Sequence, residues 1–204
     1  MKQITIRKTK ECPEKVKTSV LLSDANQTIS ESCILYEEGN QDPVVLYMQA
    51  PADTSAVLKA VRTIQYDKGK RARGLYSISK IFGYRPRLTL HRDYCAATGM
   101  AHQFVKQHEA ICAYAEEMER LYSLYIPNVH AEHKKKVEEV LPEWRIGNTV
   151  YTSGIVNKNN PLKYHFDTGN FNGVYSAMLV LRSGTRGGDL LLPEYGIQFQ
   201  LEND

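Results

Sequence analysis

A histidine and an aspartate stand two residues apart in the last quarter of the 204-residue chain, at His165 and Asp167. In an extended strand, residues i and i+2 point to the same face, so both side chains can reach one ion. One imidazole and one carboxylate are two of the three protein ligands in the facial triad that binds Fe(II). The pair therefore predicts a metal site, although the same spacing also occurs by chance in proteins without one.

A basic segment precedes this pair. Eight Lys or Arg residues and no Asp or Glu fall between Lys68 and Arg92, with aromatic residues interleaved. This pattern is typical of a surface that follows the phosphates of a nucleic acid, and a solvated basic loop is the alternative. Its glycines and Pro86 predict a loop or a short strand. The candidate DNA-binding residues are Lys68, Lys70, Arg71, Arg73, Arg85 and Arg87.

Hydrophobic patterning predicts strands, then helices, then strands again. β-Branched or alternating runs predict strands over 16–24, 32–39, 43–50, 149–157, 174–183, 189–193 and 197–202. Apolar residues at helical spacing predict helices over 51–67, 99–125 and 130–141. This order favours an α+β fold in which the helices pack on one side of an antiparallel sheet or sandwich.

The cysteines and the hydropathy of the chain indicate the cellular compartment in which it is found. The four cysteines are far apart and form no C-x-x-C pair, so free thiols are expected and a zinc site is not. No apolar run approaches the length of about 18 residues that a membrane span requires, and no secretory segment is expected. These features predict a cytoplasmic protein without a membrane anchor.

Three segments together resemble the 2-oxoglutarate/Fe(II) dioxygenases of double-stranded β-helix fold: ARGLYSISKIFGYRPR, EWRIGNTVYTSGIVNKNNPLKYHFDTGNF and GGDLLLPEYGIQF. The chain looks most like the TET/JBP branch, which oxidises the 5-methyl group of pyrimidines in DNA, and especially like its phage and bacterial members. On this resemblance, residues 67–204 form the dioxygenase domain. Residues 1–66, a strand-rich region with a helix, stay unassigned.

The resemblance implies a function and a set of site residues. His165 and Asp167 would bind Fe(II), 2-oxoglutarate would be the cosubstrate, and a 5-methylpyrimidine would be flipped out of DNA and oxidised. Asn170 would face the flipped base, where its carbonyl suits the exocyclic amine of cytosine and so favours 5-methylcytosine over thymine. Asn160 is a further candidate for substrate binding. For both asparagines, an ordinary turn residue is the alternative.

The family's third ligand is missing from this chain. Related enzymes carry a second histidine beyond the PEY segment, and then an arginine that grips the 2-oxoglutarate carboxylate. Here no histidine follows His165 and no arginine follows Arg186, and four of the other histidines lie in or beside predicted helices. We therefore expect the C-terminal strands to be missing, either because a second chain supplies them with the third ligand or because this copy is degenerate. The last strand is then expected to pair with another chain or to be poorly ordered.

Two other functions remain open on the sequence. A catalytically inactive DNA-binding module or subunit of the same fold would keep the basic segment without iron turnover, and the missing histidine favours it. The other function is a dioxygenase that acts on a protein side chain or a small molecule. Such an enzyme does not need a basic segment, so the basic segment argues against this function. For a DNA-modifying enzyme of this type, the expected location is the cytoplasm of a bacterial or phage-infected cell.

Overall fold

The computed structural model describes residues 1–9, 11–49, 52–70, 76–86, 95–167, 170–182, 184 and 187–201. These residues form an α+β protein with mixed sheets and several helices, which confirms the predicted α+β class. The sheets contain parallel as well as antiparallel pairs, so the prediction of a purely antiparallel sheet or sandwich is wrong, and the double-stranded β-helix core stays a prediction. The chain divides into two compact units. Unit 1 consists of Met1–Ala52 and Pro161–Asp204, and unit 2 of Asp53–Asn160. The domain boundary predicted between residues 66 and 67 falls inside unit 2 and stays a prediction.

The described strands and helices follow one another in groups along the chain. The α-helices are α1 (Ser55–Thr63), α2 (Gly99–Gln103), α3 (Val105–Tyr125) and α4 (Pro127–Val137). The strands are β1 (Lys2–Ile6), β2 (Gln27–Ile29), β3 (Cys33–Glu37), β4 (Pro43–Tyr47), β5 (Asp67–Lys70), β6 (Tyr76–Pro86), β7 (Cys95–Ala97), β8 (Ser153–Asn157), β9 (Leu190–Leu192) and β10 (Ile197–Phe199). Single 3-10 turns are found at Pro13–Lys15, Leu22–Asp24 and Pro142–Trp144.

Unit 1 contains two three-stranded sheets that share one core. In the first sheet, β3 lies between β1, which is parallel to it, and β4, which is antiparallel. In the second, β10 lies between the parallel β2 and the antiparallel β9. Alternate residues of each strand face inward. Inward residues of β1, β2, β3, β4 and β10 form one buried cluster with Leu201, which consists of Ile6, Ile29, Cys33, Leu35, Tyr47, Ile197, Phe199 and Leu201.

The last strand differs from the prediction. β10 has a hydrogen-bonded neighbour on each side within the chain, and Ile197 and Phe199 each expose 1% of their surface. The expectation that this strand pairs with another chain or is poorly ordered is therefore wrong for β10. Its parallel neighbour β2 comes from the opposite end of the chain, so the C-terminal segment alone gave no sign of it.

Two predicted strands are wrong within the described residues. The segment 16–24 forms turns, because Lys17 adopts a φ of 75° that lies outside the extended region. Its apolar residues are largely exposed, with Leu22 at 68%. The described part of 174–183 also forms no strand, yet Val180 packs against the core of unit 1. Its apolar character reflects packing rather than strand pairing.

Unit 2 is organised around β6. This strand of eleven residues pairs antiparallel with β5, β7 and β8, in place of the loop or short strand predicted for the basic segment. Gly83 adopts a φ of 77°, and a Cβ at this position would lie 2.5 Å from the carbonyl oxygen of Thr152. Only glycine allows β6 and the chain before β8 to approach this closely.

The helix predictions are confirmed with shifted ends. α1 begins at Ser55, whose backbone N–H donates to the Asp53 carboxylate at 2.9 Å. The long predicted helix breaks at Phe104 (φ −132°, ψ 53°) into α2 and α3. Pro127 begins α4, where its missing N–H leaves no bond unmade.

The cysteines are free thiols, as the sequence predicts. Cys12 and Cys33 are buried, and Cys95 and Cys112 are half-buried. Burial raises the pKa of the Cys112 thiol to about 11, so it is protonated at neutral pH. Among the described residues, no helix combines the length and the apolar composition needed to cross a membrane.

Candidate metal centre

His165 and Asp167 lie side by side in unit 1. Nε2 of His165 is 3.4 Å from Oδ1 of Asp167, and the two side chains expose 50% and 62% of their surface. Nδ1 of His165 lies 2.7 Å from the carbonyl oxygen of Lys163. Because a carbonyl oxygen only accepts, Nδ1 carries the proton and donates, and in the neutral ring Nε2 has the free lone pair.

In this neutral form of the ring, Nε2 and the carboxylate oxygen are two electron-pair donors that face each other across the gap. The Nε2 lone pair and a carboxylate oxygen repel each other unless a proton or a cation lies between them. Ligand atoms that bind one ion at about 2.0–2.2 Å are themselves about 3.0–3.5 Å apart. A backbone carbonyl on the far nitrogen is also the usual partner that orients a metal-ligating histidine. The pair thus fits two ligand positions of one metal ion.

The backbone before His165 is tied to the N-terminal part of unit 1. The N–H of Lys17 donates to the carbonyl of Tyr164 at 2.6 Å, and the N–H of Tyr164 donates to the carbonyl of Thr18 at 3.2 Å. These two bonds fix the main chain at Tyr164, the residue directly before His165. The sequence did not indicate them, because the two segments are far apart along the chain.

Side chains reinforce this attachment. The Tyr164 hydroxyl donates to Oδ2 of Asp24 at 3.1 Å, and the Lys15 ammonium donates to Oδ1 of Asp24 at 2.5 Å. The bond from Lys15 lowers the pKa of Asp24. Burial, together with the bond to Asp24, raises the pKa of Tyr164 to about 12. A neutral phenol and an ionised carboxylate are therefore held together over a wide pH range.

This attachment predicts how the stability of unit 1 depends on pH. A folded-state pKa of about 12 for Tyr164, against an ordinary value of about 10, gives a stabilising contribution that is complete below pH 10 and is lost between about pH 10 and 12. The lowered pKa of Asp24 gives a contribution that is present above about pH 4 and is lost as the pH falls through the folded value. We expect the unfolding temperature to decline both above about pH 10 and below about pH 4.

Circular dichroism melts of Tyr164→Phe would check the alkaline side. The variant cannot ionise at this position, so its unfolding temperature should fall less between about pH 10 and 12 than that of the wild type. Tyr125→Phe, which changes a tyrosine of α3 in unit 2, is the matched control and should keep the full decline. Identical alkaline profiles for Tyr164→Phe and the wild type would show that Tyr164 does not attach the segment in this way.

Asn170 is exposed and lies three residues after Asp167. Its amide nitrogen donates to the Ser176 hydroxyl oxygen at 2.7 Å. This bond orients the amide and leaves Oδ1 as the end that accepts. An accepting oxygen is what the predicted contact with the exocyclic amine of cytosine requires. The sequence does not single out Ser176, because it lies within the run 174–183, which predicts a strand rather than a site.

Asn160 has a different environment, in unit 2. Its Oδ1 accepts from the N–H of Ile78 at 3.0 Å, and its Nδ2 donates to the carbonyl of Ile78 at 3.1 Å and to the Ser77 hydroxyl at 3.2 Å. The side chain thus continues the pairing of β8 with β6 beyond the end of β8. These bonds account for Asn160 without a substrate, and its role in substrate binding stays a prediction.

No third ligand joins the pair in the part of the chain that the structure describes, where no group of three or more His, Cys, Asp or Glu is arranged to hold a metal ion. Four other histidines lie in α2, α3 and α4, and His91 lies outside the described residues. Two of these histidines form hydrogen bonds that connect elements of unit 2. Nε2 of His108 accepts from the N–H of Gly83 at 3.0 Å, and Nε2 of His130 is 2.6 Å from Oε1 of Glu119.

The predicted DNA-binding residues are described only in part. Lys68 and Lys70 lie in β5, and Arg85 lies in β6 opposite Ala96 of β7. Lys68 and Arg85 are both exposed. Three further candidates lie outside the described residues: Arg71, Arg73 and Arg87. The exposed cations Lys68 and Arg85 therefore belong to adjacent strands of one sheet.

The chain was compared with known protein families, proteins and structures. No family model, curated protein or solved structure matches the chain. The likeness to the TET/JBP branch therefore depends on the three sequence segments.

Proposed function

We propose that this chain is a 2-oxoglutarate/Fe(II)-dependent dioxygenase of double-stranded β-helix fold that oxidises the 5-methyl group of a pyrimidine in DNA, converting 5-methylcytosine to 5-hydroxymethylcytosine. The observation that carries the proposal is the separation of 3.4 Å between Nε2 of His165 and Oδ1 of Asp167, with the far nitrogen of the ring bonded to Lys163. The three TET/JBP-like segments supply the reaction type and the substrate class.

In this proposal the residues of the chain bind and orient. His165 and Asp167 would hold Fe(II), which together with 2-oxoglutarate and dioxygen would supply the oxidising chemistry. The carbonyl of Lys163 keeps the proton on Nδ1 and so directs the Nε2 lone pair to the ion. The backbone bonds between Tyr164 and residues 17–18 hold this stretch of chain in place.

Substrate preference would follow from Asn170. Its Oδ1 would accept from the exocyclic amine of 5-methylcytosine, and Ser176 would hold the amide in that orientation. Thymine presents a carbonyl oxygen at the same place, so two acceptors would face each other and the complex would be weaker. This contact makes 5-methylcytosine the preferred substrate.

The base must leave the duplex before its methyl group can reach the metal. Phe166 lies between His165 and Asp167, Phe171 lies four residues after Asp167, and the two residues expose 70% and 41% of their surface. An exposed aromatic ring can stack on a base, which is worth about 1–3 kcal/mol. Lys68 and Arg85 of unit 2 would contribute phosphate contacts and make binding salt-dependent.

The described residues supply two of the three ligands, and we propose a second chain as the source of the third. The same observation favours a second candidate function, a catalytically inactive DNA-binding module that keeps the fold and the basic residues. In either case the proposed partner is DNA that contains 5-methylpyrimidine, in the cytoplasm of a bacterial or phage-infected cell.

Mass spectrometry of nucleosides tests the proposal. We expect 5-hydroxymethylcytosine when 5-methylcytosine DNA is incubated with the chain, Fe(II), 2-oxoglutarate and ascorbate, and none when 2-oxoglutarate is left out. A duplex with thymine at the same positions is the matched substrate and should yield less oxidised base. If DNA binds but no product forms, even after the chain is extended by strands carrying the family's histidine and arginine, the inactive module is the better account.

A further inference from the structure

Three residues form a row across the sheet of unit 2. Lys68 of β5 is the register partner of Ile78 in β6. Lys158 follows β8 directly, and its N–H donates to the carbonyl of Ile78 at 2.9 Å. Residues opposite one another on paired strands point to the same face. Strands lie about 4.8 Å apart, so the backbones of the two lysines are about 10 Å apart.

This row lines an open groove of about 660 Å³, which Gln65, Tyr66 and Asp67 complete. Nζ of Lys158 lies 5.6 Å from the centre of the Tyr66 ring, within the range of a cation–π contact. The ring is held in turn, because the Tyr66 hydroxyl donates to the carbonyl of Val61 at 2.7 Å. A cation and a fixed aromatic ring therefore lie together on one wall of the groove.

The charge of the groove is positive. Asp67 contributes a carboxylate, but its Oδ1 accepts from Nζ of Lys80 at 2.9 Å, and the Lys80 side chain is only 9% exposed. The buried ammonium of Lys80 thus balances this carboxylate from within unit 2. Lys68 and Lys158 are both exposed and add two positive charges to the groove.

We propose that this Lys68–Lys158 groove binds the sugar–phosphate backbone of one DNA strand, with the two ammonium groups on phosphates and Tyr66 against a sugar or a base. The inference rests on the proposed function, which supplies DNA as the partner. It adds Lys158 and Tyr66, which the sequence does not single out. The two lysines extend from the two sides of β6, so their ammonium groups can reach different phosphates of one strand.

The salt dependence of DNA binding tests this groove. Fluorescence anisotropy with a labelled 5-methylcytosine duplex, over a series of KCl concentrations, would compare the wild type with Lys68→Ala, Lys158→Ala and the double variant. Each neutralised phosphate contributes about 0.9 to the slope of log K against log salt concentration. We expect each single change to make the slope shallower by about 0.9 and the double change to make it shallower by about twice that amount.

Two further variants separate charge from fold. Lys134→Ala removes an exposed lysine of α4 in the same unit and should leave the slope unchanged. Lys158→Arg keeps the charge and should retain the slope of the wild type. If DNA binding by the wild type depends steeply on salt and both alanine variants show the same dependence, the groove does not bind DNA and the proposed function stands. A wild type without salt-dependent DNA binding would overturn the groove and the proposed function together.

Discussion

His165→Ala is expected to abolish oxidation of 5-methylcytosine and to weaken Fe(II) binding more than about a hundredfold, because loss of a partner behind a ligand already costs about 10–100-fold. The substitution removes the Nε2 donor that faces Asp167 at 3.4 Å. It removes no cation that pairs with a phosphate, so DNA affinity should stay within about twofold of the wild type. A loss of iron without a loss of DNA would place the metal at this pair.

Two variants make this measurement specific. Asp167→Asn keeps the size of the side chain and removes its charge, so it should lose Fe(II) in the same way. His102→Ala removes an exposed histidine of α2 and should change neither property. Binding can be followed by equilibrium dialysis of Fe(II) without oxygen, and by the visible band of the Fe(II)–2-oxoglutarate complex. Unchanged iron affinity in His165→Ala would show that the metal does not bind at this pair.

The sequence predicts those features whose causes are local. The α1 helix follows from Asp53 and the spaced apolar residues after it, and α4 overlaps the helix predicted over 130–141. The closeness of His165 and Asp167 is local as well, since only one residue separates them. The family resemblance likewise depends on short segments that can be read without a fold.

The features that escaped prediction have partners far away along the chain. β10 is interior because β2 lies beside it, and nothing in 197–202 announces that pairing. Lys158 joins a groove because it continues the register of β8 with β6, a property of two strands rather than of either one. The attachment of Tyr164 to Asp24 depends in the same way on tertiary structure. The strand predicted over 16–24 is wrong for a related reason. Its apolar residues follow a strand-like pattern, but a segment forms a strand only where a neighbouring strand pairs with it.

The interior position of β10 predicts a large effect on stability. Phe199 exposes 1% of its surface, and its ring centre is 5.2 Å from that of Tyr47 in the core of unit 1. Truncation of a buried phenylalanine to alanine typically costs about 3–5 kcal/mol, a large part of the 5–15 kcal/mol that stabilises a whole domain. We expect Phe199→Ala to lower the free energy of unfolding of unit 1 by about this amount, and Phe199→Leu by less.

Phe166→Ala is the matched control, because it deletes the same ring at a position that is 70% exposed and should change stability by no more than about 0.5 kcal/mol. Urea titration gives the free energies, and hydrogen exchange at β3 and β10 reports on unit 1 directly. His165 belongs to the same unit, so Fe(II) binding should be lost at the urea concentration at which β10 loses protection. If Phe199→Ala is no less stable than Phe166→Ala, then β10 is not held inside this chain, and pairing of the last strand with a second chain becomes the better explanation.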